Sequence, residues 1–190
     1  MKTNIEPLTK EEIRLHRLDM EQENPAIYLG TYYKYNCGRL FGQWIDLSTF
    51  DDYEDFCDYC SRLHWDEEDP EFMVQDYMNY PESLYHESGL PTEEEFDRIQ
   101  EFSKLDERDK EAYALYLNNH NSKADITEFQ DHYMGYYGSG EDFAEHICEE
   151  CGYFESLPEW LQCCIDFKAV WRSFDTGGDF TGYDGHIFRP

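Results

Sequence analysis

The sequence predicts an α+β fold assembled from three small parts, and three observations predict it. β-rich runs bounded by glycine-containing turns lie near residues 26–47 and again at the C-terminus, whereas the middle of the chain carries apolar residues at helical spacing. Aromatic residues make up 17% of the 190 positions, with 16 Tyr, 13 Phe and 4 Trp, and burial of such rings drives folding strongly. No repeat of useful period and no proline- or serine-rich linker interrupts the chain.

Residues 1–24 read as an N-terminal extension holding a short helix. Thr9 and Glu12 have the spacing of a capping box, and Ile13, Arg17 and Met20 follow on one face. An N-terminal α+β domain is expected over residues 25–90. Its runs AIYLGTYYKY and RLFGQWIDL read as a hairpin joined across Asn36-Cys37-Gly38. Asp51 or Asp52 can cap a helix to about His64 with the stripe Tyr53, Phe56, Cys57, Cys60 and Leu63, and MVQDYMNY can return as a third strand.

A central helical domain is expected over 91–133. Thr92 and Glu95 form a second capping box before Phe96, Ile99 and Phe102. Asp106 can cap a helix bearing Tyr113, Tyr116 and Leu117, which ends at Asn118–Asn121, and a short ITEFQD helix follows. The C-terminal α+β domain, 134–190, starts with the strand-like YMGYYG. Ser139 and Asp142 open a helix that Gly152 can terminate. Ser156 and Glu159 open a long helix, LPEWLQCCIDFKAVWRSF, and GDFTGYDGHIFRP closes the chain as a hairpin about Asp184-Gly185.

Charge bounds the function. Lys and Arg number 15 against 43 Asp and Glu, a formal net charge of −28. Duplex DNA carries one charge per about 1.7 Å, so this equals the charge on roughly 48 Å of duplex. A compact chain of this length would measure about 40 Å across, so the protein carries about the linear charge of DNA. Such a surface repels nucleic acid and anionic membranes and attracts basic partners. Direct nucleic-acid binding and membrane association are therefore not expected. No apolar run approaches the roughly 20 residues of a membrane helix, and MKTNIEPLTKEEIRLHRLDM lacks the features of a signal peptide. Seven cysteines, an odd number, in a chain with ample core material suit reduced thiols and a cytoplasmic location.

The acids concentrate in FDDYEDFCDYCSRLHWDEEDPEF, residues 50–72, where Asp51, Asp52, Glu54, Asp55, Asp58, Asp66, Glu67, Glu68, Asp69 and Glu71 face a single Arg62. Asp76 follows, and acids recur on the outer face of successive helices at Glu94/Asp97/Glu101, Asp106/Glu107/Glu111 and Glu141/Asp142/Glu145/Glu149. Like charges so close cost stability by self-repulsion, so a rigid array of them suggests a basic partner rather than a merely solvated face.

Other chemistries fit less well. Cys57/Cys60 and Cys148/Cys151 have the spacing of a four-thiolate zinc site, but both pairs fall on the apolar stripes of helices, where cysteine is a common core residue. No metal and no cofactor is expected. DTGGDFTGYDG offers Asp175, Asp179 and Asp184 without the ligand alternation of a calcium loop. No nucleophile elbow, phosphate loop or HExxH occurs, so no catalytic residue is assigned and no enzymatic activity is expected. Trp160, Leu161 and Ile165 place an apolar face on the C-terminal helix that a small domain can hardly cover alone, which predicts a symmetric dimer through residues 134–190.

Three separated blocks resemble the ArdA family of antirestriction proteins. Tyr28, Gly30, Tyr32, Lys34, Tyr35, Asn36, Gly38, Leu40, Gly42 and Trp44 match its first pattern. The acidic DPEF segment with Gln75-Asp76-Tyr77 matches the second, and SLPEWLQCCIDFKAVWRSFDTGGDFTGYDGHIFR matches the motif helix and closing hairpin. The resemblance covers about residues 25–189 and implies an elongated, three-domain DNA mimic that dimerises through its C-terminal part. It further implies occupation of the DNA-binding groove of Type I restriction–modification enzymes, inhibiting restriction with methylation as a further candidate target, and carriage on mobile elements. On that reading the carboxylates above stand in for phosphates. Residues 1–24 precede the usual family start, and Lys168, Trp171 and Ser173 make the motif helix less acidic than is common. The alternative is an acidic interaction module for another basic, DNA-binding protein.

Overall fold

The computed structural model describes residues 5–190 as a mixed α+β chain. It divides into two compact units, one ending at Lys110 and the other comprising Glu111–Pro190.

The first unit opens with helix α1 (Lys10–Leu15), whose Thr9–Glu12 capping box forms as expected. Strand β1 (Ala26–Thr31) is central in an antiparallel sheet of order β2-β1-β3, between β2 (Gln43–Asp46) and β3 (Phe72–Met78). Ala26, Ile27 and Leu29 are fully buried, as a central strand demands. The run expected as one long strand changes at Thr31. Its hydroxyl accepts the Lys34 N–H, and Tyr32–Asn36 form a helical turn, α2. Gly38, at φ +70°, closes that turn in the left-handed conformation that glycine adopts freely. The β1–β2 pairing is antiparallel as expected, but the connection is this helical turn rather than a tight hairpin.

Helix α3 (Tyr53–Leu63) is capped by Asp52, which accepts the Asp55 N–H at 2.9 Å, and buries Phe56, Tyr59, Cys60 and Leu63. Helix α4 (Glu93–Ser103) carries the second capping box, Thr92–Glu95, and stacks Phe96 on Phe56 with ring centroids 5.2 Å apart. The N-terminal extension is joined to this unit. Arg17 bridges Ile45 on the outer edge of β2, the Leu18 N–H donates to the Trp44 carbonyl, and His16 stacks on Phe50 at 4.1 Å. The extension thereby covers a sheet edge that would otherwise present unpaired backbone groups.

The second unit contains most of α5 (Glu107–Asn119), followed by α6 (Ile126–His132), β4 (Tyr133–Tyr136) and α7 (Gly140–Glu150). Its core gathers Tyr113, Tyr116, Leu117, Phe129, Phe143 and Phe188. The long helix expected from Ser156 is two: α8 (Glu159–Gln162) and α9 (Phe167–Gly177). The break has a local cause. Asp166 accepts the Ala169 N–H at 3.1 Å and caps α9, a role that aspartate fills better than it fills a helix interior. Strands β5 (Thr181–Tyr183) and β6 (His186–Phe188) form the expected hairpin, in a sheet of order β4-β6-β5. Its turn residues Asp184 and Gly185 both have positive φ, 49° and 86°, the signature of a two-residue hairpin turn. From Glu149 to Gly185 no residue is buried.

Candidate functional site: the acidic surface

Capped helices with one apolar stripe each turn their carboxylates outward. Of the acids singled out above, every one except Glu67 is exposed. They include Asp51, Glu54, Asp55 and Asp58 around α3, Glu68, Asp69 and Glu71 before β3, Glu94, Asp97 and Glu101 on α4, and Glu141, Asp142, Glu145 and Glu149 on α7.

They fall into two groups. Some are engaged within the fold. Asp52 caps α3, Asp58 lies 3.4 Å from Arg62, and Asp76 accepts the Tyr77 N–H. Asp106 accepts the Asp109 N–H, Glu107 pairs with Lys110 at 2.7 Å, and Asp142 accepts the Ser139 hydroxyl proton. Glu111 sits 3.6 Å from His186, and Glu141 3.9 Å from Lys168. The others, Asp51, Glu54, Asp55, Glu68, Asp69, Glu71, Glu94, Asp97, Glu101, Glu145 and Glu149, take part in none of the ion pairs among the described residues. Exposed and uncompensated, this second group can meet a cationic surface without first breaking an internal bond.

Two cations of the first unit are turned toward the fold. Arg62 lies across α3 against Glu12 of α1 at 2.8 Å, and its carboxylate partners leave it little free valence. Lys34, matched in the first motif block, is 3% exposed, and its ammonium donates to Asp66 at 2.7 Å and lies 3.1 Å from Glu67. The hydrogen bond from Lys34 holds the Asp66 carboxyl below its usual range. His64 is fully buried, and its Nδ1 lies 2.9 Å from Lys34 Nζ. Burial, reinforced by the neighbouring ammonium, lowers the imidazole to about 4. His64 is therefore neutral, and its Nδ1 accepts from Lys34. Sequence reasoning identified Lys34 only through the motif. A lone lysine inside an aromatic run, YYKY, was the available signal of its burial.

Each cysteine pair places one member in the core, and the expected burial of both members fails at Cys151. Cys60 is buried and desolvation pushes its thiol well above the usual value, while Cys57 is half-buried. Cys148 is buried with its thiol raised, and Cys151 is exposed at the end of α7. A raised thiol is protonated at neutral pH and is a poor metal ligand. Among the described residues no cluster of His, Cys, Asp and Glu is arranged to hold a metal ion, and no helix is long and apolar enough to cross a membrane. Trp160 is 70% exposed, with Leu161 and Ile165 half-buried beside it.

The described chain is a mixed α+β protein with exposed carboxylates that enter no ion pair among the described residues, and with Lys34 and Arg62 turned toward the fold. The chain matches the model of the family described as antirestriction protein (ArdA) over residues 27–188, and it belongs to that family. Compared with the curated proteins, it finds no match. The first motif block forms β1, α2 and β2, the DPEF block leads into β3, and the third block spans α8 to β6.

Proposed function

We propose that this antirestriction protein acts as a DNA mimic, occupying the DNA-binding groove of a Type I restriction–modification enzyme without catalysing a reaction. The observation that carries this reading is the set of exposed, uncompensated carboxylates on α3, the turn before β3, α4 and α7. Lysines and arginines that would position a duplex by its phosphates meet those carboxylates instead. The protein works in the cytoplasm of a host that receives mobile DNA, as a homodimer, and a three-part division at about residues 90 and 133 belongs with this reading. Dimerisation is supported by α8 and α9, neither of which buries a residue, and by the outward Trp160. Symmetric pairing is the common way to cover such a face.

Phage plated on a restricting host with and without the protein tests the function. Restored plating is expected, and no effect on any Type I system favours a different basic, DNA-binding partner. Competition with DNA for the purified enzyme tests the mechanism. Affinity should fall steeply with salt. Neutralising Glu54, Asp55, Glu68 and Asp69 together should weaken it while leaving the fold no less stable. Glu67 is left out of that set because it pairs with Lys34. A monomer in sedimentation at micromolar concentration would remove the dimer.

A further inference from the structure

Burying a lysine is expensive unless each of its three N–H groups finds an acceptor. Lys34 finds two acceptors and a second carboxylate in one short segment. Its ammonium donates to His64 Nδ1 at 2.9 Å and to Asp66 Oδ1 at 2.7 Å, and Glu67 Oε1 lies at 3.1 Å. The ring of Phe41 sits beneath it, 4.6 Å to the centroid. Thr31 donates its hydroxyl to the same Glu67 oxygen at 2.8 Å, and the Tyr32 N–H donates to the Glu71 carbonyl at 3.0 Å. Both ends of the acidic turn from His64 to Glu71 are therefore tied to residues 31–34. Between the ties, Glu68 and Asp69 stand exposed and enter none of the ion pairs among the described residues.

We propose that Lys34 is a positioning residue for partner binding: by neutralising Asp66 and Glu67 it locks the turn that presents Glu68, Asp69 and Glu71 to the enzyme. This rests on the acidic surface being the partner-binding face. The lysine adds no charge to the interface. It lowers the ordering cost of the contact, because a loop already held in its bound shape loses less freedom on association. A purely structural role would be served as well by an apolar residue, since a buried ion pair exchanged for apolar groups is often neutral in stability.

The test compares the wild type with Lys34→Met/Glu67→Gln. The double variant is used because Lys34→Met alone leaves Glu67 without its cation and can fail to fold. Hydrogen exchange should rise about 10-fold or more at the amides of residues 65–71, while those of β1 and β3 stay protected. Affinity for the purified Type I enzyme should fall on the order of 10-fold. Adding Glu68→Gln/Asp69→Asn should weaken the wild type but change the untethered variant much less, a coupling that a merely structural role would not produce. Unchanged exchange in the turn, or fully additive losses, would overturn the proposal. A wild type that binds no Type I enzyme removes the functional reading instead, and the exchange measurement still decides whether Lys34 holds the turn.

Discussion

Replacing Gly140 by alanine sets two effects of known size against each other. Gly140 is the first residue of α7, where alanine is a better helix former than glycine by up to about 1 kcal/mol. Its backbone φ is ordinary, so no strain opposes the substitution. The new methyl carbon, however, would lie 2.5 Å from Trp171 Nε1 and closer still to two ring carbons of the same indole. Carbon atoms in contact prefer about 3.5–4.0 Å, so the indole would have to retreat by roughly 1 Å. Trp171 meets Phe143 edge-on at 6.1 Å, and Phe143 is fully buried. The retreat therefore loosens the contact between α9 and the core. Overpacking of this kind costs about 1–3 kcal/mol, which exceeds the gain in propensity, and a net loss of about 1–2 kcal/mol is expected. Urea unfolding of Gly140→Ala, Trp171→Ala and the double variant measures it. In the Trp171→Ala background the alanine should be neutral or stabilising. A stabilised single variant, or an equal loss in both backgrounds, would refute the steric reasoning.

Three further outcomes are expected. His64 is held at about 4 in the fold against about 6.5 unfolded, so the unfolded chain binds the extra proton first as the solution is acidified. Stability should be fully present above pH 6.5 and fall by about 2–3 kcal/mol on acidification to pH 4.5. Urea midpoints of the wild type should show that loss and those of His64→Phe should not. Glu67→Gln should cost about 1–3 kcal/mol, because Lys34 loses a charged partner, whereas Glu68→Gln should lie within about 0.5 kcal/mol of the wild type. Equal thermal shifts for the two would count against the pairing. Maleimide should label Cys37, Cys151, Cys163 and Cys164 rapidly at pH 7 and leave Cys60 unreacted, as read by mass spectrometry. Cys60 reacting at the same rate would place it outside the core.

The capped helices were legible because their signals are local. Thr9–Glu12, Thr92–Glu95, Asp52, Ser139 and the Asp184-Gly185 turn all act within three or four residues of themselves. The helical turn at Tyr32–Asn36 was not legible, since YYKYN suits a strand as well as a helix and the Thr31 cap decided the matter. The break before Asp166 was hidden for a related reason. LQCCIDF keeps a helical pattern straight through it, and the competing cap outweighs that pattern. The outward direction of the acids followed from the apolar stripes they oppose. Which acids are internally compensated did not, because Asp66 and Glu67 owe their pairing to a lysine distant in sequence, brought near by the β1–β3 pairing and the turn at α2.

The absence of any buried residue from Glu149 to Gly185 has a kinetic consequence. Segments with few buried contacts open separately from the rest of a protein, at a free energy well below that of global unfolding. Amides of α8 and α9 should therefore exchange through a sub-global opening, while those of β6, whose three residues are all buried, wait for the whole unit to open. A second copy that covers Trp160 would oppose that opening by mass action. Exchange in α9 would then slow as the protein is concentrated and that in β6 would not, so the dilution series itself becomes a probe of what covers this face.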